Sequence, residues 1–147
     1  MYNKLEKQKP SYMVKISELK DGDLLIVSNE GTLMEGEVTA VDTVQQLARV
    51  STGEGNEFWY PGEALSAIPL SDAALQKLHF KRVREEDGGV KYKKGAFRVH
   101  LDKPDDFSSI SFWYREDRRH VTGPVFLHQL QNYYLSMTKV PLTEAVI

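Results

Sequence analysis

Short runs of alternating apolar and polar residues, punctuated by Gly, Pro and Asn, dominate the first half of the chain. Residues 24–28 read as a strand between the turn Asp21-Gly22-Asp23 and a second turn, Asn29-Glu30-Gly31, whose residues tolerate positive φ. Strands are predicted next over 35–41 and 46–51, the latter placing Gln46, Ala48 and Val50 on one side. A glycine-containing hairpin loop at 53–56 leads to an aromatic strand, Glu57-Phe58-Trp59-Tyr60. Pro61-Gly62 breaks that strand, and 65–70 forms a final short one.

The second half mixes periods. Ser71 is placed to cap a short helix over 72–78, with Asp72 favourable at its N-terminus. Strands are expected over 79–83, 90–94, 96–101 and 109–114, with Asp87-Gly88-Gly89 as a hairpin turn and 103–106 as a loop. Ile110, Phe112 and Tyr114 alternate with Ser111, Trp113 and Arg115, a period of two. After Gly123-Pro124 the period changes. Leu127, Leu130, Tyr134 and Met137 share one helical face, which predicts a helix over 125–138 covering one side of the second sheet. Residues 1–11 read as a flexible leader and 141–147 as a tail. The organisation expected is a leader (1–11), a β-barrel (12–70) and an α+β unit (71–147).

Five short strands in under 60 residues suggest a small barrel. The spacing Leu19-x-x-Gly22-Asp23 before the first strand resembles the opening turn of SH3-like barrels of the KOW and tudor type. Such barrels serve RNA, protein and peptide ligands alike, so the resemblance implies a fold ahead of a function. Two further phrases, Ile68-Pro69-Leu70-Ser71 and the helix His128-Gln129-Leu130-Gln131-Asn132-Tyr133-Tyr134, resemble a family of small uncharacterised proteins of gut-type bacteria and their phages or mobile elements. In that family Leu is usual where Tyr133 stands, and Thr where Ser71 stands. The resemblance spans residues 16–138, and it brings no established activity.

Composition adds exclusions. The 147 residues include no cysteine, which removes disulfides, thiolate metal sites and a cysteine nucleophile, and fits a reducing, cytoplasmic setting. Met1 to Pro10 has no apolar run of signal-peptide type, and the apolar run Leu24 to Val27 is far too short to span a bilayer. Net charge is −2, distributed unevenly. Residues 1–70 carry six Lys and Arg against eleven Asp and Glu, a balance of −5; residues 71–147 carry thirteen against ten, a balance of +3. Any phosphate backbone is therefore expected on the second half. Each half is small for a stable core without staples, so the two are expected to pack together.

Candidate chemistry is sparse. His79, His100, His120 and His128 are too far apart in sequence for a helical metal pair, and no HExxH occurs. No phosphate-cradling GxxxxGK[ST] occurs, and no GxSxG accompanies Ser108, Ser109 and Ser111. Asp105-Asp106 follows a proline in a loop and reads as a solvated turn. No cofactor is expected. Two aromatic groups remain. On the strand Phe58-Trp59-Tyr60, Trp59 must face opposite to Phe58 and Tyr60, so at least one ring points outward, to pack on the rest of the chain or to bind. In the second sheet, if Tyr92, Phe97, Val99, Ile110 and Phe112 face the helix, the other face carries Lys91, Lys93, Arg98, His100, Trp113 and Arg115. That is either an ordinary solvated face or a basic-aromatic platform for phosphate and base contacts. His128, with Gln129 and Asn132, either lines a polar site or is a bonded helix residue.

The fold expected is α+β: an SH3-like barrel packed on an antiparallel sheet with one covering helix. The function expected is a non-enzymatic binding or accessory module of phage or mobile-element type, contacting protein or nucleic acid and no membrane. The alternatives are a small enzyme with a non-local site at the junction of the halves and a structural subunit of a larger assembly.

Overall fold

Alternation at Leu25 and Val27, both fully buried, sets the inner face of the first sheet. A computed structural model of the chain describes residues 13–53 and 55–143, so the leader at 1–11 and the end of the tail lie outside the described residues. The chain divides into two compact units, with the boundary between Ile68 and Pro69.

The first unit contains β1 (Leu24–Asn29), β2 (Thr32–Asp42), β3 (Leu47–Ser51), β4 (Glu57–Pro61) and β5 (Leu65–Ser66). They form one antiparallel sheet in the order β4-β3-β2-β1-β5. The opening turn is built as the residue pattern demands. Gly22 takes φ 95°, and the buried Asp23 carboxylate accepts the Lys20 N–H at 3.0 Å. Glu30 (φ 51°) and Gly31 (φ 83°) form a two-residue connection between β1 and β2, both with the positive φ that matches strand twist. A bulge interrupts the β2–β3 register between Val38 and Ala40. There the Thr39 hydroxyl accepts from Arg49 Nε at 3.0 Å, and the extra residue kinks the strand locally as bulges do. A short 3-10 turn, Gly62–Ala64, links β4 to β5. The sheet is curled and open: no pair joins β4 to β5 among the described residues.

In the second unit, α1 (Asp72–Lys77) is capped by Ser71, whose hydroxyl accepts from Ala74 N at 3.1 Å. Five strands follow as a meander: β6 (Lys81–Arg84), β7 (Val90–Lys94), β8 (Phe97–Leu101), β9 (Ser109–Tyr114) and β10 (Asp117–Thr122). The alternation read for β7 to β9 places Tyr92, Phe97, Val99, Ile110 and Phe112 in the core. Helix α2 (Leu127–Thr138) packs on that face, with Tyr134 edge-on to Phe97 (4.8 Å) and Tyr133 stacked on Phe112 (4.7 Å). Its stripe Leu127, Leu130, Tyr134 and Met137 is buried.

Several features differ from the sequence reading. Gln46 sits with φ 58° in the turn before β3 and not in line with Ala48 and Val50, and the strand expected over 65–70 spans only Leu65–Ser66. β10 was not expected, because Arg118, Arg119 and His120 interrupt any apolar alternation. Arg115, expected on the outer face with Ser111 and Trp113, sits with φ 56° in the two-residue turn between β9 and β10. The stretch read as a tail turns back at Leu142, which is buried and whose carbonyl accepts from Gln131 Nε2 at 3.0 Å. No helix among the described residues is long and apolar enough to cross a membrane.

Candidate anion-binding face of the second sheet

Cross-strand register brings distant residues into rows. Lys81 pairs with Lys93, Lys93 with Arg98, Arg98 with Trp113 and Trp113 with Arg118, one position from each of the five strands. The adjacent row is Val83, Lys91, His100, Ser111 and His120. Both rows alternate with the residues that pack on α2, so they occupy the outer face. None of the ten is buried, and Lys81, Lys93, Arg118 and His120 are exposed. The rows hold five Lys or Arg, two His and one Trp, and no carboxylate. Acidic groups stand at the rim. Glu85 is 3.5 Å from Lys91 Nζ, and Asp102 is 4.0 Å from His100 Nδ1. Among the described residues no carboxylate is salt-bridged to Lys81, Lys93, Arg98 or Arg118.

Trp113 is the centre of the first row. Arg118 lies with its guanidinium carbon 4.0 Å from the ring centroid, and Arg98 approaches at 5.4 Å from the strand on the other side. The indole N–H donates to the Arg115 carbonyl at 2.9 Å, which fixes the ring from its polar edge. The ring is therefore not an open platform, since a base reaches it only by displacing a guanidinium. In the second row the His120 ring bonds the Ser109 hydroxyl through Nε2 (3.1 Å) and the Ser111 hydroxyl through Nδ1 (3.0 Å). Both ring nitrogens are occupied by hydroxyls, with no carboxylate behind the ring to orient it as a base.

The shifted ionisations of Asp72, Tyr92 and Lys94 lie away from these rows, on the side of α1. Asp72 is held below the ordinary carboxylate range, first by the Tyr92 hydroxyl at 2.7 Å and then by Gln76 and Arg82, with burial opposing. Burial lowers Lys94, whose ammonium donates to the Leu78 carbonyl at 2.8 Å. These groups tie α1 and its following turn to the sheet, a structural task. No cluster of three or more His, Asp or Glu able to hold a metal occurs among the described residues.

Of the residues singled out in sequence, Lys91, Lys93, Arg98, His100 and Trp113 share this face, and Arg115 flanks it in the turn. Phe58, Trp59 and Tyr60 lie in the other unit, on the edge strand β4. Phe58 is 54% exposed and Trp59 46%, with Arg49 at 5.7 Å from the Trp59 ring, while Tyr60 is 8% exposed and points into the core. His128 is 2% exposed within α2, its ring parallel to Phe126 at 6.5 Å, so it presents no surface. Lys81, Arg118 and His120 were missed in sequence. Lys81 falls in the strand expected over 79–83 but joins this face only through its pairing with Lys93, and the other two lie on the unread β10. No family model, no curated protein and no solved structure matches the chain.

Proposed function

We propose that this protein is a non-enzymatic binding module that takes a nucleic-acid strand on the outer face of its second sheet. The observation that carries this reading is the pair of carboxylate-free rows, in which five Lys or Arg on four of the five strands surround a fixed Trp on the remaining one. Four of the five, Lys81, Lys93, Arg98 and Arg118, have no carboxylate partner among the described residues and leave their charge for a ligand, and phosphate binding then releases the counterions condensed on the strand. The acidic balance of residues 1–70 directs the polyanion to the second unit. The strand order of the first sheet, with its 3-10 turn before β5, supports an SH3-like kinship for that unit. The helix phrase at 128–134 supports a phage or mobile-element setting.

Fluorescence anisotropy with a labelled single strand and a duplex tests the reading. With all five cations engaged, log K for a single strand should fall against log salt with a slope of about −3.5. Lys93→Gln should flatten that slope by about 0.7, to a similar degree for every sequence. Absence of binding to both strands at low salt refutes the proposal. The exposed Phe58 and Trp59 on β4 favour a second reading, a protein partner on the first unit; strand binding unaffected by Trp59→Ala would keep the two surfaces separate.

A further inference from the structure

The strand-binding reading assigns phosphates to the cations of the outer face but leaves open what meets the bases. From the close approach of its guanidinium over the Trp113 ring we infer that Arg118 is the base-contact residue, its guanidinium plane serving as the stacking surface, and that Trp113 is a positioning residue that holds this guanidinium in place. The inference rests on the strand-binding reading and deepens it.

Four observations place Arg118 in that role. Its guanidinium sits 4.0 Å from the Trp113 ring centroid, which is van der Waals stacking distance. Trp113 cannot swing away readily, because its N–H is bonded to the Arg115 carbonyl and Arg98 occupies its other flank. Arg118 itself is exposed, whereas Trp113 is half-buried beneath it. No carboxylate among the described residues is salt-bridged to Arg118, so its charge and outer plane are uncommitted. Bases unstacked from a single strand lie on guanidinium planes as well as on aromatic rings. An arginine already ordered by cation–π stacking loses little further rotamer freedom when a base arrives. Arg98 approaches the same ring at 5.4 Å, with its Nε sealed from solvent and unbonded.

The test compares a short oligothymidine strand with an abasic strand of equal length, using the full chain at low salt. The intact protein should bind the oligothymidine about tenfold more tightly than the abasic strand, the scale of one stacked base. Arg118→Lys keeps the charge but loses the plane. It should hold the salt slope while the thymidine preference falls towards one. Trp113→Leu should do the same, because the cation remains but is no longer held in place. In a Trp59→Phe background, Trp113 emission should change little on binding, since Arg118 separates ring from base. Strong quenching of Trp113, or an unchanged thymidine preference in Arg118→Lys, overturns the inference in favour of direct stacking on Trp113. Equal binding of both strands by the intact protein overturns it while leaving the strand-binding reading intact. Failure to bind either strand removes both.

Discussion

Removing the Tyr92 hydroxyl probes the join between α1 and the second sheet. Tyr92 is fully buried, and its hydroxyl donates to Asp72 Oδ1 at 2.7 Å. Hydrogen bonds to a charged acceptor are worth about 1.5–3 kcal/mol in a protein interior. The Asp72 side chain is 31% exposed and retains Arg82 Nη1 at 2.9 Å and Gln76 Nε2 at 2.8 Å, so water and these donors absorb part of the loss. Tyr92→Phe should therefore cost about 1 kcal/mol at neutral pH, with most of that cost coupled to Asp72 in a cycle with Asp72→Asn. Urea unfolding followed by Trp113 emission, in a Trp59→Phe background, reports on the second unit alone.

The pH dependence carries its own signs. The folded state holds Asp72 below its ordinary value, so this stabilisation is present above about pH 4 and is lost as pH falls through the lowered folded value. The penalty of Tyr92→Phe should thus be full at pH 7 and shrink in acid. At the other end, burial first and Asp72 second raise Tyr92 above the ordinary tyrosine value. Above about pH 10 the unfolded chain ionises while the folded one does not, so the intact protein loses stability there and Tyr92→Phe lacks that loss. A coupling below about 0.3 kcal/mol, within the error of additivity for independent sites, would show that Asp72 and Tyr92 do not join these elements. So would a penalty that is the same at pH 7 and pH 3.

Leu130 is fully buried on α2, and Leu130→Ala should cost about 2–5 kcal/mol in the same unfolding assay; a loss near zero would place another face of the helix inward. Gly36 on β2 is buried opposite Leu25, and a Cβ there would run into Val50 Cγ1. Gly36→Ala should cost about 1–3 kcal/mol despite its entropic benefit in the unfolded chain, and Val50→Ala in the same chain should recover part of the loss. A neutral Gly36→Ala, measured by thermal unfolding, would show that Val50 yields freely.

The buried half of each element was the legible half. Tyr92, Phe97, Val99, Ile110 and Phe112 announce their face because burial demands apolar residues at every second position, and the α2 stripe does so through its helical period. Outer-face residues obey no such demand. Arg118 and His120 acquire meaning only through β10, an edge strand whose inner positions Asp117 and Arg119 are themselves charged and paired at 2.9 Å. A polar edge strand carries almost no period-two signal, and the short Arg115-Glu116 link was its one local sign. For His128 the sequence leaves two readings, lining a polar site or a bonded helix residue, because a polar residue beside the apolar stripe carries no period of its own; the structure buries it within α2.

The two borders of the second sheet have a consequence for the protein at high concentration. β6 runs Lys81-Arg82-Val83-Arg84 and β10 opens with Asp117-Arg118-Arg119-His120 before Val121-Thr122, so most of each border strand is fenced by charge. A second copy approaching either border to extend the sheet would have to desolvate those cations, and two β6 borders would set like charges side by side. Neutralising the fence, by substitution or by polyanion bound across the rows, would remove that barrier. Self-association through strand pairing should then appear in the second sheet at its Lys-rich and Arg-rich margins, and a polyanion added in excess would favour intermolecular sheet growth even as it fills the face between them.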